Sequence, residues 1–416
     1  MFSIHALGLA LLVAAAVGSL VLCVQLFCVW RHHRSPARVA PGSTPPGPLK
    51  SISILKPLCG VDDDLETNLE RFATLDYPAY ELLLGVKDTR DAAYPVAQAA
   101  VARWPKRVRL VVQQGEPGLN PKVNQLITLA AAARNELLLI SDSNTRVEPG
   151  YLEEISHTFA DPRVGCMSHP ISGLGEQTLG SLMDNLYQCT SAGAGQISAK
   201  QAAGQDLVVG KSMVLRRSVV DALDGFRAVA NVLAEDFVIG QWVTRRLALR
   251  SVVARAPVYN VSQKKSVRTF FKRYVRWSII HHTCIPTPLY LAQSILNPTP
   301  WALLGVMLSP SAETLEAAGA VVGVKLIHDV AVFRMMRPGQ RTRWVTVPAV
   351  LLKDMLLFAA WVNGLFARSV DWRGHSLRVM AGSHLVAPPS ALPAPIALPT
   401  PLAETESEDQ GELLAG

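Results

Sequence analysis

The 416-residue sequence contains no Cys-x-x-Cys pair. Its six cysteines (Cys23, Cys28, Cys59, Cys166, Cys189, Cys284) are scattered, two of them in the first apolar segment. That pattern fits neither a zinc site nor a disulfide framework and predicts reduced thiols on the cytosolic side. Aromatic residues are only 6% of the chain and no RNA- or DNA-module signature is present, so the net charge of +7 does not point to nucleic acid. Charged residues are scarce as well, 18% against 49% apolar. That balance suits a basic protein resting on an anionic membrane face. No G-x-G-x-x-G follows the first expected strand, which argues against a dinucleotide enzyme. Gly204 to Gly210-Lys211-Ser212 has five intervening residues where a phosphate-binding P-loop requires four, so that motif is absent too.

Residues 1–30 hold no Asp, Glu, Lys or Arg, and Ile4 to Trp30 is almost continuously apolar. That exceeds the roughly 20 residues needed to span a bilayer core. A cleaved signal peptide would carry positive charge ahead of a shorter apolar core. Here the charge follows, at Arg31, Arg34, Arg38 and Lys50. The segment therefore reads as a signal anchor (residues 1–31) with its N-terminus outside and the remainder of the chain cytoplasmic.

A stiff polar linker, residues 32–50 with its PGSTPPGP run, leads into a segment where aliphatic runs alternate with helical patterns. Expected strands are Ile52–Leu58, Leu82–Lys87, Val108–Val112, Leu137–Ser141, Val164–Ser168, Val208–Leu215 and Ser251–Ala256. Helical patterns fall at Leu65–Leu75, Ala92–Arg103, Lys122–Arg134 and Asp236–Leu247. This alternation predicts an α/β catalytic domain over residues 51–265 with a mostly parallel sheet buried on both faces. Residues 266–284 read as an amphipathic interfacial helix. Residues 285–370 contain three apolar stretches, Ile285–Leu308, Ala317–Phe333 and Val345–Ala367. The first two are expected to form a hairpin, and the third carries Lys353 and Asp354 mid-segment. If the third spans, the basic residues after it (Arg368, Arg373, Arg378) lie outside, against the charge rule; a re-entrant segment would remove the conflict. The tail, 371–416, is expected to be disordered after about residue 388, where it becomes Pro/Ala/Leu-rich and then acidic (Glu404–Glu412).

In an open parallel sheet, ligands bind beyond the carboxyl ends of the strands. Asp88 and Asp142 each follow such an end. Asp88 is placed to accept hydrogen bonds from a base or ribose, and Asp142, in Ser-Asp-Ser-Asn, to bind a divalent metal. Aspartate also caps turns in these places. Asp236, beside Glu235 at a helix start, reads either as a dipole complement or as a general base for an acceptor hydroxyl. Arg273, Arg276 and Trp277 share one helical face at i, i+3 and i+4. There the arginines would grip a diphosphate, or the face would meet lipid headgroups alongside Lys264, Lys265, Arg268 and Lys272. Asp62-Asp63-Asp64 with Glu66 reads as a helix capping box. His281-His282 cannot share a helix face, and Asn260-Val-Ser262 is a sequon only if exported.

These motifs resemble the ceramide glucosyltransferases, lipid-directed inverting enzymes of GT-A fold. The resemblance rests on Lys56-Pro-Leu-Cys-Gly-Val-Asp62, the Asp88 segment, Gly118-Leu-Asn-Pro-Lys-Val-Asn124, Ser141-Asp-Ser-Asn-Thr-Arg-Val147, Ala234-Glu-Asp236 and Arg273–Trp277. It covers about residues 51–280, in the family's order and spacing. It implies a Rossmann-like GT-A catalytic domain between the anchor and the C-terminal membrane segments. Asp88 would contact uridine, Asp142 would help hold Mg²⁺ or Mn²⁺ on the diphosphate, and Asp236 would be the catalytic base. Lys122, Asn124 and Asn144 would belong to the donor pocket, and Arg273, Arg276 and Trp277 to the diphosphate and acceptor motif. The chain has Asn144 where many GT-A enzymes carry a second metal-binding aspartate.

The implied function is transfer of a sugar, glucose first, from a UDP-sugar to the hydroxyl of a membrane lipid such as ceramide. The alternatives are N-acetylglucosamine transfer to a hopanoid polyol, a diacylglycerol acceptor, and a processive polysaccharide synthase. The last would need more membrane helices and a Gln-x-x-Arg-Trp motif. A non-catalytic, membrane-tethered binder would not need Asp236. Alanine richness and the extended tail point to a bacterial inner membrane with the catalytic domain in the cytoplasm.

Overall fold

The computed structural model describes residues 4–35, 48–205, 207–372 and 375–387. Most of the expected linker, Arg38 and Arg373, and the expected disordered tail beyond residue 388 lie outside the described residues.

All seven expected strands form, and together they make one sheet. They are β1 (Ile52–Pro57), β2 (Tyr80–Val86), β3 (Val108–Val112), β4 (Leu137–Ser141), β5 (Val164–Ser168), β6 (Ser212–Arg216) and β7 (Arg250–Val253). Their spatial order is β3-β2-β1-β4-β6-β5-β7. Side chains alternate between two buried layers: Ile52, Ile54, Leu82, Leu84, Leu137 and Leu139 pack on one face. Leu55, Leu83, Leu138 and Ile140 pack on the other. Burial on both faces explains why β2 and β4 read as continuous apolar runs and not as alternating ones. The expected α/β class with a mostly parallel sheet is the class observed.

One strand departs from expectation. β6 starts at Ser212, four residues later than the expected Val208, and runs antiparallel to both β4 and β5. Its register pairs Ser212 with Ser141, the last residue of β4. A reversed strand begins where its neighbours end, so Gly210 and Lys211 arrive at the same sheet edge as Asp142.

The N-terminal helix, Ile4–Arg34, and a second helix, Thr346–Phe366, are long and apolar enough to cross a membrane. The expected apolar stretch 285–308 is not one helix. It divides into Thr287–Ala292, a 3₁₀ turn at Gln293–Leu296, and Pro298–Leu308. Pro286, Pro288, Pro298 and Pro300 remove amide donors and clash with continuing helix, which forces the breaks. The last piece, at about 1.5 Å per residue, is too short for a bilayer core of about 30 Å. The expected hairpin therefore lacks its first spanning arm. The N-terminal helix packs against this segment so closely that a Cβ on Gly18 would lie 1.9 Å from the Ile295 carbonyl oxygen. Glycine is required there by proximity.

The charges inside the third apolar stretch are paired. Lys353 Nζ lies 2.9 Å from Asp329 Oδ2 and 2.8 Å from Asp354 Oδ1, and Lys325 Nζ lies 2.6 Å from Asp329 Oδ1. Thr299 Oγ1 donates to Asp354 Oδ2 at 3.0 Å. All five side chains are buried, so the polar groups tie three apolar helices to one another.

Candidate active site

Asp142 stands just past β4, and each of its carboxylate oxygens meets a lysine. Lys122 Nζ is 3.1 Å from Oδ1 and Lys211 Nζ is 3.0 Å from Oδ2. Burial alone would raise the Asp142 pKa, but the two ammoniums outweigh it and hold the carboxyl well below its usual range. Lys211 also donates to Asn144 Oδ1 at 2.6 Å. Beneath them, Lys56 is fully buried over the Phe72 ring and donates to the Asp142 carbonyl at 2.7 Å. Burial outweighs the attraction of Asp142 and pushes its pKa down to about 7.

Lys122 owes its position to a capped helix start. Asn120 Oδ1 accepts from the amides of Lys122 and Val123, and Pro121 opens the helix Pro121–Ala132. From there the ammonium reaches Glu235 Oε1 as well, at 3.0 Å. Glu235 and Asp236 begin the helix Glu235–Arg245. Asp236 Oδ2 accepts from the Gly210 amide at 2.5 Å and Oδ1 from its neighbour Phe237 at 2.8 Å. A Cβ on Gly210 would lie 2.9 Å from both Asp236 Oδ2 and Lys122 Nζ. Only glycine lets those two groups approach the same amide.

Arg273, Arg276 and Trp277, on the helix Val267–Cys284, all face the same cavity as Asp142, Lys122 and Asp236. Arg273 is oriented by Asp184, whose Oδ2 lies 3.3 Å from its Nη1. Asp184 is fully buried and is also bound by Lys265 at 2.7 Å and by the Tyr274 hydroxyl at 2.8 Å. Burial would raise its pKa, but Arg273 and Lys265 hold it well below the usual range. The Arg273 guanidinium lies 5.6 Å from the Trp277 ring centre.

Two expected donor residues are placed differently from the rest. Asn124 lines the cavity, but its amide clamps the Gly118 backbone, accepting at 3.0 Å and donating at 2.8 Å. Asp88 is absent from the cavity wall and binds its own turn, accepting from the Arg90 amide at 2.8 Å and the Arg90 guanidinium at 3.1 Å. The capping box expected at Asp62–Glu66 does not form. Asp64 sits at the N-cap with φ 60° and makes no capping bond, and the three acids reach outward to Ser143, Gln263 and Arg146.

Lys56, Asp184, Gly210, Lys211 and Glu235 were not expected at the site. Lys56 opens the first family motif and Glu235 lies in another. Lys211 and Gly210 depend on the reversal of β6. Asp184, inside an apolar helical stretch, carries no signal of its own.

The residues fit a hard divalent cation only in part. Asp142 and Asn144 offer two oxygens, and among the described residues no group of three His, Cys, Asp or Glu could hold a metal. Magnesium-type sites with one or two carboxylates take their remaining ligands from substrate phosphates and water. In that arrangement Asp142 and Asn144 would be the protein's ligands, at the two oxygens that Lys211 contacts here.

The site is a capacious cleft at the carboxyl edge of a mostly parallel sheet, walled by acids, lysines and an Arg-x-x-Arg-Trp helix, and comparison with known proteins makes the chain a transferase. The chain belongs to glycosyl transferase family 21, whose profile matches residues 10–385. It is a hexosyltransferase, and its likeness to the ceramide glucosyltransferases is borne out. It is 24% identical over 368 residues to ceramide glucosyltransferase 1 of Caenorhabditis elegans, covering 86% of this chain and 76% of that protein. Against ceramide glucosyltransferase 3 of the same organism the identity is 24% over 392 residues, covering 88% and 81%. Among solved structures, the mannosyltransferase PcManGT of Pyrobaculum calidifontis, in complex with GDP-Man and Mn²⁺, is 18% identical with a TM-score of 0.47, covering 87% of this chain and 99% of that one.

Proposed function

We propose that the enzyme transfers glucose from UDP-glucose to the primary hydroxyl of a membrane lipid of the ceramide class, with inversion, at the cytoplasmic face of a bacterial inner membrane. The observation that carries this reading is one cavity of about 1860 Å³. Its wall runs from Lys122, Asp142 and Asp236 to Val21, Leu296 and Trp361 on the apolar helical segments. An acceptor can present its hydroxyl to the acids while its chains stay against apolar surface.

Asp236 takes the proton of the lipid hydroxyl as that oxygen attacks the anomeric carbon, and the bond to the diphosphate oxygen breaks. Two backbone amides fix the Asp236 carboxylate for this role and leave it lone pairs for the incoming hydroxyl. Lys122, Lys211, Arg273 and Arg276 supply cationic donors to the departing diphosphate. A divalent ion bound by Asp142 and Asn144 together with the diphosphate would further neutralise that charge. Asn124 shapes the Gly118 loop of the donor pocket, and Trp277 borders the acceptor. For Asp88 to contact uridine, its turn with Arg90 must open.

The test is to incubate the purified protein with UDP-glucose, UDP-galactose or UDP-N-acetylglucosamine and ceramide, diacylglycerol or a hopanoid polyol. Mass spectrometry of the lipids should show a ceramide hexoside formed from UDP-glucose. Asp236→Asn should lower the rate by about 10²–10⁴-fold. An N-acetylhexosaminyl hopanoid, or a polymer, would overturn the assignment.

A further inference from the structure

Lys211 occupies the place that a metal would need. Its ammonium lies 3.0 Å from Asp142 Oδ2 and 2.6 Å from Asn144 Oδ1, the two oxygens the chain offers to a cation. The residue is only 8% exposed, and its position just before β6, whose first residue pairs with Ser141, brings it to the site. The other Asp142 oxygen is held by Lys122, and Lys56 lies behind the same residue. A divalent ion entering the donor-free site would have to displace an ammonium and then sit among three lysines. A diphosphate reverses that balance, because its oxygens can take over the displaced ammonium and complete the ion's ligand set.

We infer that Lys211 is the resident cation of the Asp142–Asn144 pair, and that a divalent ion binds there only together with the nucleotide diphosphate, whose arrival draws the Lys211 ammonium onto a phosphate oxygen. The inference rests on the site being a nucleotide-sugar donor site. It makes Lys211 a donor-binding residue that sets the order in which metal and donor load.

The experiment is Mn²⁺ binding to the purified full-length protein, read by the loss of the free-ion electron paramagnetic resonance signal. It is run with and without UDP, with protein-free UDP titrations subtracted. Wild type should bind Mn²⁺ at least tenfold more tightly with UDP than without. Lys211→Met should bind Mn²⁺ at least tenfold more tightly than wild type in the absence of UDP, and Lys211→Gln should repeat this in case the methionine variant misfolds. Lys211→Arg, which keeps the charge, should behave as wild type. Equal Mn²⁺ affinity of wild type with and without UDP would overturn the inference, as would neutral variants that gain no UDP-free affinity. Calorimetry of UDP binding to wild type is the separate check. If UDP does not bind, the donor-site reading fails, while the UDP-free comparison of variants still decides whether Lys211 holds the cation position.

Discussion

The ammonium of Lys122 lies 3.0 Å from Oε1 of Glu235, a carboxylate whose pKa burial raises against the pull of Lys122. The pair joins the helix after β3 to the helix that carries Asp236. Removing only the lysine leaves a buried carboxylate with no cation beside it. Lys122→Met is expected to lower stability by about 3 kcal/mol. Adding Glu235→Gln should recover much of that loss, because the stranded charge is gone. Thermal unfolding of the two single variants and the double variant measures the coupling, and additive losses would show that the pair is not coupled.

Gly210 separates stability from chemistry. An alanine Cβ would sit 2.9 Å from Asp236 Oδ2 and from Lys122 Nζ, so one of the two groups must move. Neither lies deep in an apolar layer, and the fold can absorb the shift. Gly210→Ala is expected to lower turnover by about 10²-fold, the scale of a misplaced catalytic group. The unfolding midpoint should stay within a few degrees of wild type. A variant with full turnover would mean that the Gly210 amide does not position Asp236.

The sheet was legible because its central strands carry aliphatic runs, as in Leu137–Ser141 and Tyr80–Val86, and burial on both faces makes such runs conspicuous. Strand direction was not legible. The run around Met213 looks alike in either sense, so Lys211 was assigned to no site although it bonds Asp142. The two-to-four-residue strands Thr145–Arg146, Ile171–Leu174 and Val258–Val261 are too short to show a period. Asp142, Asp236 and the Arg273–Trp277 face were singled out by a strand end, a helix start and helical spacing together with the family resemblance, and the structure gathers them around one cavity. Asp184 was invisible, because its partners Lys265, Arg273 and Tyr274 lie on a later segment and only packing brings them to it.

His169 gives the domain an acid limit. Its ring is fully buried, Nδ1 is 2.8 Å from Ser212 Oγ, and burial drives its pKa down to about 3 from an ordinary 6.5. The unfolded chain therefore takes up a proton near pH 6.5 that the folded chain refuses until about pH 3. The stabilisation is complete above pH 6.5 and is lost progressively as pH falls toward 3. At pH 5 the loss is about 2 kcal/mol. Denaturant unfolding at pH 7.5 and pH 5 should show this drop in wild type. In His169→Gln the drop should be smaller by about that amount, and an equal drop in both would assign the acid sensitivity to other groups.

Asp184 orients Arg273 from behind, and the same carboxylate neutralises Lys265. Asp184→Asn keeps the shape of the side chain but leaves two cations without their counter-charge in a buried setting. It is expected to cost about 3 kcal/mol in stability. It should also raise the KM for the proposed UDP-sugar donor, because Arg273 loses the partner that fixes its fork. Tyr274→Phe removes one 2.8 Å hydrogen bond to the same carboxylate and leaves both ion pairs, so its cost should be about 1 kcal/mol with KM little changed. Steady-state kinetics and unfolding curves of the two variants together test the assignment. If Tyr274→Phe raises KM as much as Asp184→Asn does, the hydroxyl and not the ion pair sets the direction of Arg273.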